Sequence, residues 1–211
     1  MSVKKTVCII DLGIQNILSV ENAFRTLGVD VQIVTAPGEV EAAPFLVLPG
    51  VGAFGSAMEK MRNAGLDEAI HKHALDRKKP LLGLCLGMQL LADSSEEFGS
   101  STGLGLIRGR VVKLVDQPPQ FRVPNIGWRD VQNTGNSKLL SKKQKPLAFY
   151  HVHSFHLECE DQPDVAGTST FGHQNITSIV HRANIFGVQF HPEKSQDAGL
   201  DLLHAVLHKL T

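Results

Sequence analysis

Cys85 stands between two glycines in the run Gly83-Leu-Cys-Leu-Gly-Met-Gln89. That is the spacing of a nucleophile elbow, G-x-nucleophile-x-G, with sulfur in place of the serine oxygen. A strand turning sharply into a helix strains its central residue and pushes that side chain outward, while small flanking residues let the backbone approach closely. A thiol at a helix N-terminus also gains from free N–H groups and the helix dipole. The plainer alternative is a buried apolar cysteine in a strand. The stretch Val188-Gln-Phe-His-Pro-Glu-Lys-Ser195 holds the partners such a nucleophile needs. An imidazole at a strand end, followed two residues later by a carboxylate, can act as a base oriented by an acid. His191 would take the thiol proton and Glu193 would hold the ring. Pro192 would fix the turn between them, although His-Pro-Glu alone also reads as a surface turn. In Pro49-Gly-Val-Gly-Ala53, two glycines let consecutive N–H groups turn outward as an oxyanion hole; an ordinary turn is the usual meaning of such a run. Together these pieces could perform acyl transfer through a cysteine.

The elements that must position them alternate. Residues 7–10, 31–34, 45–48 and 81–84 are short apolar runs of buried-strand type. Between the first two, Ile17, Val20, Phe24 and Leu27 recur at helical spacing up to the stop at Gly28. Helices are expected over 54–63 and from 66 to about 77, and a helical segment over 88–92. Such alternation implies a parallel sheet with helices on its faces, and ligands bind at the carboxyl ends of its strands. Asp11, Pro49 and Cys85 should therefore meet on one edge. Beyond a polar loop at 94–103, residues 105–115, 148–152, 155–159, 176–180 and 186–190 lean towards strand and read as a continuation of the same sheet. Residues 117–120 and 133–145 read as exposed loops. Leu203, Val206, Leu207 and Leu210 mark a closing amphipathic helix. The expected fold is α/β, a central mostly parallel sheet with flanking helices and antiparallel additions, in one domain over residues 1–211.

Twenty-one acidic and 21 basic residues cancel, so no charge excess draws the chain to nucleic acid or to an anionic membrane. Cys8, Cys85 and Cys159 are too few and too unpaired for a disulfide framework or zinc knuckle, which points to a reducing, cytoplasmic setting. No apolar run approaches membrane-spanning length. His151, His153 and His156 invite a metal hypothesis. On one strand His151 and His153 would share a face while His156 points away, and no carboxylate lies at ligand spacing, so no metal site or cofactor is expected. His71, His73, His204 and His208 fall on expected helices, where exposure is the default.

Taken together, these motifs resemble those of the class I (triad-type) glutamine amidotransferases over essentially the whole chain. Pro49-Gly-Val-Gly52, Gly83 to Gln89 and His191-Pro-Glu193 carry the likeness. Asp11-Leu-Gly-Ile-Gln-Asn16, Pro49 to Phe54, Ile126-Gly-Trp128, Val152-His-Ser154 and Glu193-Lys-Ser195 narrow it to the subunits that serve histidine biosynthesis. The resemblance implies that Cys85 attacks the glutamine amide, His191 moves protons and Glu193 orients His191. It implies an oxyanion hole at Val51 and Gly52, and a glutamine pocket lined by Gly50, Gly52, Gln89 and the Ser154-Phe155 backbone. Ammonia would pass to a (βα)8-barrel cyclase subunit in a heterodimer, met at Asn16, Trp128 and Lys194. Gln15, Asn125, Arg129, Phe155 and His156 depart from the family's usual residues. Related subunits donate ammonia to a sugar-modifying synthetase of surface-polysaccharide pathways, which is the alternative acceptor. A binding module that has lost its chemistry is disfavoured by the intact triad. A cysteine peptidase on a similar sheet is disfavoured by Gly-Met-Gln89 and the His-Pro-Glu order.

Overall fold

All but the first residue of the 6–10 run is buried, as befits a strand paired on both sides in a parallel sheet. In the computed structural model, which describes residues 5–13, 17–117, 119–137 and 146–210, that strand lies within a nine-stranded sheet. The chain runs β1 (Thr6–Ile10), α1 (Ile17–Thr26), β2 (Asp30–Val34), α2 (Pro37–Ala42), β3 (Leu46–Leu48), α3 (Phe54–Asn63), α4 (Leu66–His71), β4 (Leu81–Leu84) and α5 (Leu86–Leu90). It continues through β5 (Ser94–Ser95), β6 (Ser101–Thr102), β7 (Gly109–Lys113), β8 (Asn125–Asn133), β9 (Leu147–His153) and β10 (Phe155–Cys159). Last come β11 (Val165–Phe171), β12 (Gln174–Arg182), β13 (Ile185–Val188) and α6 (Gln196–Lys209).

The sheet order is β2-β1-β3-β4-β13-β12-β11-β8-β9. The strands from β2 to β13 are mutually parallel, and β12, β11, β8 and β9 extend them antiparallel. Side chains alternate across the parallel half. Val7 and Ile9 face α1 and α6 through Val20, Phe24, Leu203 and Val206, while Cys8 and Ile10 face a cluster built from α2 to α5. That second cluster also takes in Val111 and Leu157, because β10-β7-β5-β6 form a separate four-stranded sheet packed on the same side.

The strands within 105–115 and 155–159, β7 and β10, therefore belong to a second layer and do not continue the first sheet. The alternation that marks a strand does not say which strand it pairs with. The helix expected to about residue 77 is α4 followed by a wider π-helical turn over Lys72–Asp76. That turn faces His73 inward, so His73 is fully buried rather than exposed, with Nε2 3.0 Å from the Pro80 carbonyl. The loop at 94–103 contains the short strands β5 and β6, and α5 spans five residues ending at Leu90.

Candidate active site

Strands β1, β3 and β4 are neighbours with parallel direction, so Asp11, Pro49 and Cys85 do emerge at one edge. Asp11 turns back on its own loop, accepting the Gly13 N–H at 2.6 Å. Cys85 is the turn between β4 and α5. Its φ of 52° and ψ of −109° lie where side chains are seldom found. Its own N–H is held by the Val188 carbonyl at 2.8 Å, and its carbonyl receives Met88 N at 3.1 Å to start α5. The flanking glycines are sterically required. A Cβ on Gly87 would fall on the Leu48 carbonyl oxygen, and one on Gly83 would come within 2.8 Å of the Gly87 carbonyl. The sulfur is buried, 4.0 Å from the Val152 carbonyl and 3.9 Å from Gln189 Nε2.

His191 follows β13, the strand beside β4, so the sheet register carries it to the same edge. A single turn of 3-10 helix over Pro192–Lys194 folds Glu193 back, and Glu193 Oε1 lies 2.8 Å from His191 Nδ1. Ser195 fixes this turn from behind: its hydroxyl donates to the His191 carbonyl at 2.6 Å and accepts Tyr150 N at 3.0 Å. With Nδ1 on Glu193, the other ring nitrogen is left to Cys85; Nε2 is buried and outside regular hydrogen-bond geometry. Burial pulls the His191 pKa down, but Cys85 and Glu193 on either side of the ring overcome it and push the value up to about 10.

The run Gly50-Val51-Gly52 leaves β3 beside this elbow. Gly50 packs so close to Leu86, the residue after Cys85, that a Cβ would approach its side chain to 3.1 Å. Gly52 has φ +108°, a backbone state that admits glycine readily and side chains rarely. Val51 and Gly52 line an open cavity of about 290 Å³ with Gly13, Ser56 and Lys60. Gln89, one turn along from Cys85, is buried, and its Nε2 donates to the Phe155 carbonyl at 2.9 Å and to Gln189 Oε1 at 3.0 Å. Its amide nitrogen is thus committed within the protein, leaving only its carbonyl oxygen to turn to a substrate. Ser154 joins β9 of the large sheet to β10 of the small one, and its carbonyl accepts Leu114 N at 2.9 Å.

Trp128 is 44% exposed on β8, edge-on to Tyr150, and Ile126 is exposed two residues before it on the same face. Lys194 is exposed beside Glu193. Asn16 lies outside the described residues. Sequence reasoning assigned no role to Gln189, His153 or Ser195. Gln189 carries a faint signal, a polar residue between Val188 and Phe190 in an otherwise apolar strand end. His151 and His153 share a buried face with rings 5.5 Å apart, but their Nδ1 atoms lie against the Phe149 and Phe155 carbonyls; His156 is on β10, in the other sheet.

Comparison with known proteins adds to this geometry. The family model "Glutamine amidotransferase class-I" matches residues 8–209. Imidazole glycerol phosphate synthase subunit HisH 2 of Nitrobacter winogradskyi is 45% identical over 202 residues, covering 93% of this chain and 95% of the relative. The subunit HisH of Leptospira borgpetersenii is 41% identical over 197 residues, covering 92% and 96%. Among solved structures, PurLQS from Thermotoga maritima superposes with a TM-score of 0.74 at 18% identity, covering 99% of this chain and 100% of that one, a likeness of fold.

Proposed function

The chain belongs to the class I glutamine amidotransferases, and from that premise we infer that it is the glutamine-hydrolysing subunit of imidazole glycerol phosphate synthase. The observation that carries the chemistry is the convergence of Cys85, His191 and Glu193, from two adjacent parallel strands, on one sheet edge. Cys85 Sγ attacks the side-chain amide carbon of glutamine. The oxyanion that forms is held by the backbone N–H groups at Val51 and Gly52. With its pKa raised to about 10, the His191 ring holds a proton at neutral pH, the one the departing ammonia needs. Loss of ammonia leaves a thioester on Cys85. Water then gives a proton back to His191 as it attacks the thioester, and glutamate departs. Glu193 keeps Nδ1 engaged so that Nε2 faces the sulfur throughout. Gly50, Gly52, Gln89 and the Ser154-Phe155 backbone line the glutamine pocket, Gln89 offering its carbonyl oxygen to the α-ammonium group.

Ammonia passes in this reading to a (βα)8-barrel cyclase subunit in a cytoplasmic heterodimer. Trp128, Lys194 and Asn16 meet that partner, a placement supported for the first two by their exposure and by the exposed apolar neighbour Ile126. Cys85→Ala is expected to abolish glutamine hydrolysis while the complex still uses free ammonia at high pH. Glutamine turnover by that variant would overturn the triad assignment.

A further inference from the structure

Gln189 is fully buried two residues before His191, and the triad makes no use of it. Its amide is the inner end of a continuous run of hydrogen bonds. Gln189 Nε2 lies 3.9 Å from Cys85 Sγ, and its Oε1 accepts Gln89 Nε2 at 3.0 Å. Gln89 donates its other amide hydrogen to the Phe155 carbonyl at 2.9 Å, and His153 Nδ1 lies 2.9 Å from the same oxygen. His153 Nε2 meets Asn125 Nδ2 at 3.0 Å, and Asn125 Oδ1 accepts Arg129 Nε at 3.0 Å. Arg129 is the outer end: half-buried next to Trp128, it donates to the Trp128 carbonyl at 3.2 Å and lies over the Phe121 ring.

The polarity of the run is self-consistent. An amide nitrogen can only donate, so Asn125 makes His153 Nε2 an acceptor and puts the ring hydrogen on Nδ1, from which it donates to Phe155. The ring stays neutral, because burial, with His151 beside it, pushes its pKa down to about 3. The Phe155 carbonyl takes one donor on each lone pair. With both of its hydrogens donated, Gln89 presents neither as an alternative, and Gln189 is left with its N–H aimed at sulfur. Buried runs of this kind polarise one another and resist piecemeal change.

We propose that His153 and Gln189 are positioning residues of the glutaminase, and that the run from Arg129 to Cys85 acts as one unit in placing the nucleophile. Arg129 is the half-buried end of this run, on the side of β8 that carries Asn125, and the other end holds the sulfur. The inference rests on the glutaminase reading above.

The test is steady-state glutamine hydrolysis by the complex with a cyclase subunit at saturating concentration, for Arg129→Ala, Gln189→Met, their double variant and Arg129→Lys. Each of the first two is expected to lower kcat about tenfold with the KM for glutamine within about twofold, because an interaction that places the nucleophile acts on the chemical step. Arg129→Lys, which can still donate to Asn125, should recover part of the loss. The double variant should be no slower than the slower single, since a run broken once is not broken further. Losses that multiply to about a hundredfold in the double variant would overturn the coupling. So would an Arg129→Ala defect that vanishes when more partner is added. Should Gln189→Met fail to fold, Arg129→Ala against Arg129→Lys decides the matter by the same kcat-against-KM split. A glutamine-analogue electrophile separates the two levels. An unsubstituted protein left unlabelled at Cys85 would defeat the glutaminase reading, whereas normal labelling with wild-type kcat in Arg129→Ala defeats the run alone.

Discussion

His191 illustrates how two neighbours can reverse what burial dictates. A buried histidine ordinarily gives up its proton, as His151 does with a pKa lowered to about 4, yet His191 is pushed up to about 10 between Cys85 and Glu193. Its folded-state pKa thus exceeds the ordinary histidine value of 6.5, and between the two values the folded chain holds a proton that the unfolded chain has shed. The resulting stabilisation is fully present below pH 6.5 and is lost as pH rises through about 10. Glu193→Gln removes one of the groups holding the value up and leaves burial pulling it down. Denaturant titrations across that pH range should show a flatter loss of stability in this variant than in the parent, and kcat should fall by about 10²- to 10⁴-fold. An unchanged slope would mean that Glu193 does not set the His191 proton. Cys85, His191 and Glu193 could be picked out along the chain because they fall in two short motifs, the Gly83–Gly87 elbow and His191-Pro-Glu193. Gln189 and His153 could not: their roles depend on residues tens of positions away, which one-dimensional spacing does not bring together.

At the scale of elements, the legible parts were those whose local pattern is complete in itself. Strands β1, β3 and β4 are near-continuous apolar runs, as double-sided burial in a parallel sheet requires. Strands β8 and β11 were not foreseen, because Asn-Ile-Gly-Trp-Arg-Asp and Val-Ala-Gly-Thr-Ser-Thr are rich in turn-forming residues, and their pairing is supplied by neighbours. The elbow is the element whose glycines mean most. Gly87 lets α5 pass against β3 at the Leu48 carbonyl, and Gly83 lets β4 pass under the Gly87-Met88 peptide. Gly87→Ala cannot be relieved by rotating a flexible side chain, since backbone lies opposite. Its expected cost is about 2–3 kcal/mol of unfolding free energy, measured by denaturant melts, together with loss of glutamine turnover as Cys85 is displaced. A stable, fully active Gly87→Ala protein would show that the elbow tolerates a wider turn than its contacts allow.

Across the whole molecule, the site lies where the chain steps from one sheet to the other. Ser154 is the joint between β9 and β10, and the Phe155 carbonyl beyond it binds Gln89 from the elbow, so the two layers meet beside Cys85. The Trp128 face belongs to the antiparallel half of the large sheet, whose last two strands are β8 and β9, and β9 ends at His153, against the Phe155 carbonyl. Docking there reaches the site through one strand pair. The isolated subunit is accordingly expected to hydrolyse glutamine slowly, and a cyclase subunit with its nucleotide should raise kcat by about tenfold or more, as closure on a partner does when it completes a site. Trp128→Ala separates docking from transmission. Its ring is half in solvent and touches Tyr150 only edge-on, so removing it should leave the melting temperature unchanged. Removing an exposed aromatic anchor should weaken the complex by about 2 kcal/mol, or roughly 30-fold in Kd. At saturating partner its kcat should return to that of the parent, because the run through Arg129 is intact. A Trp128→Ala protein that binds the cyclase subunit normally would move the interface off this face.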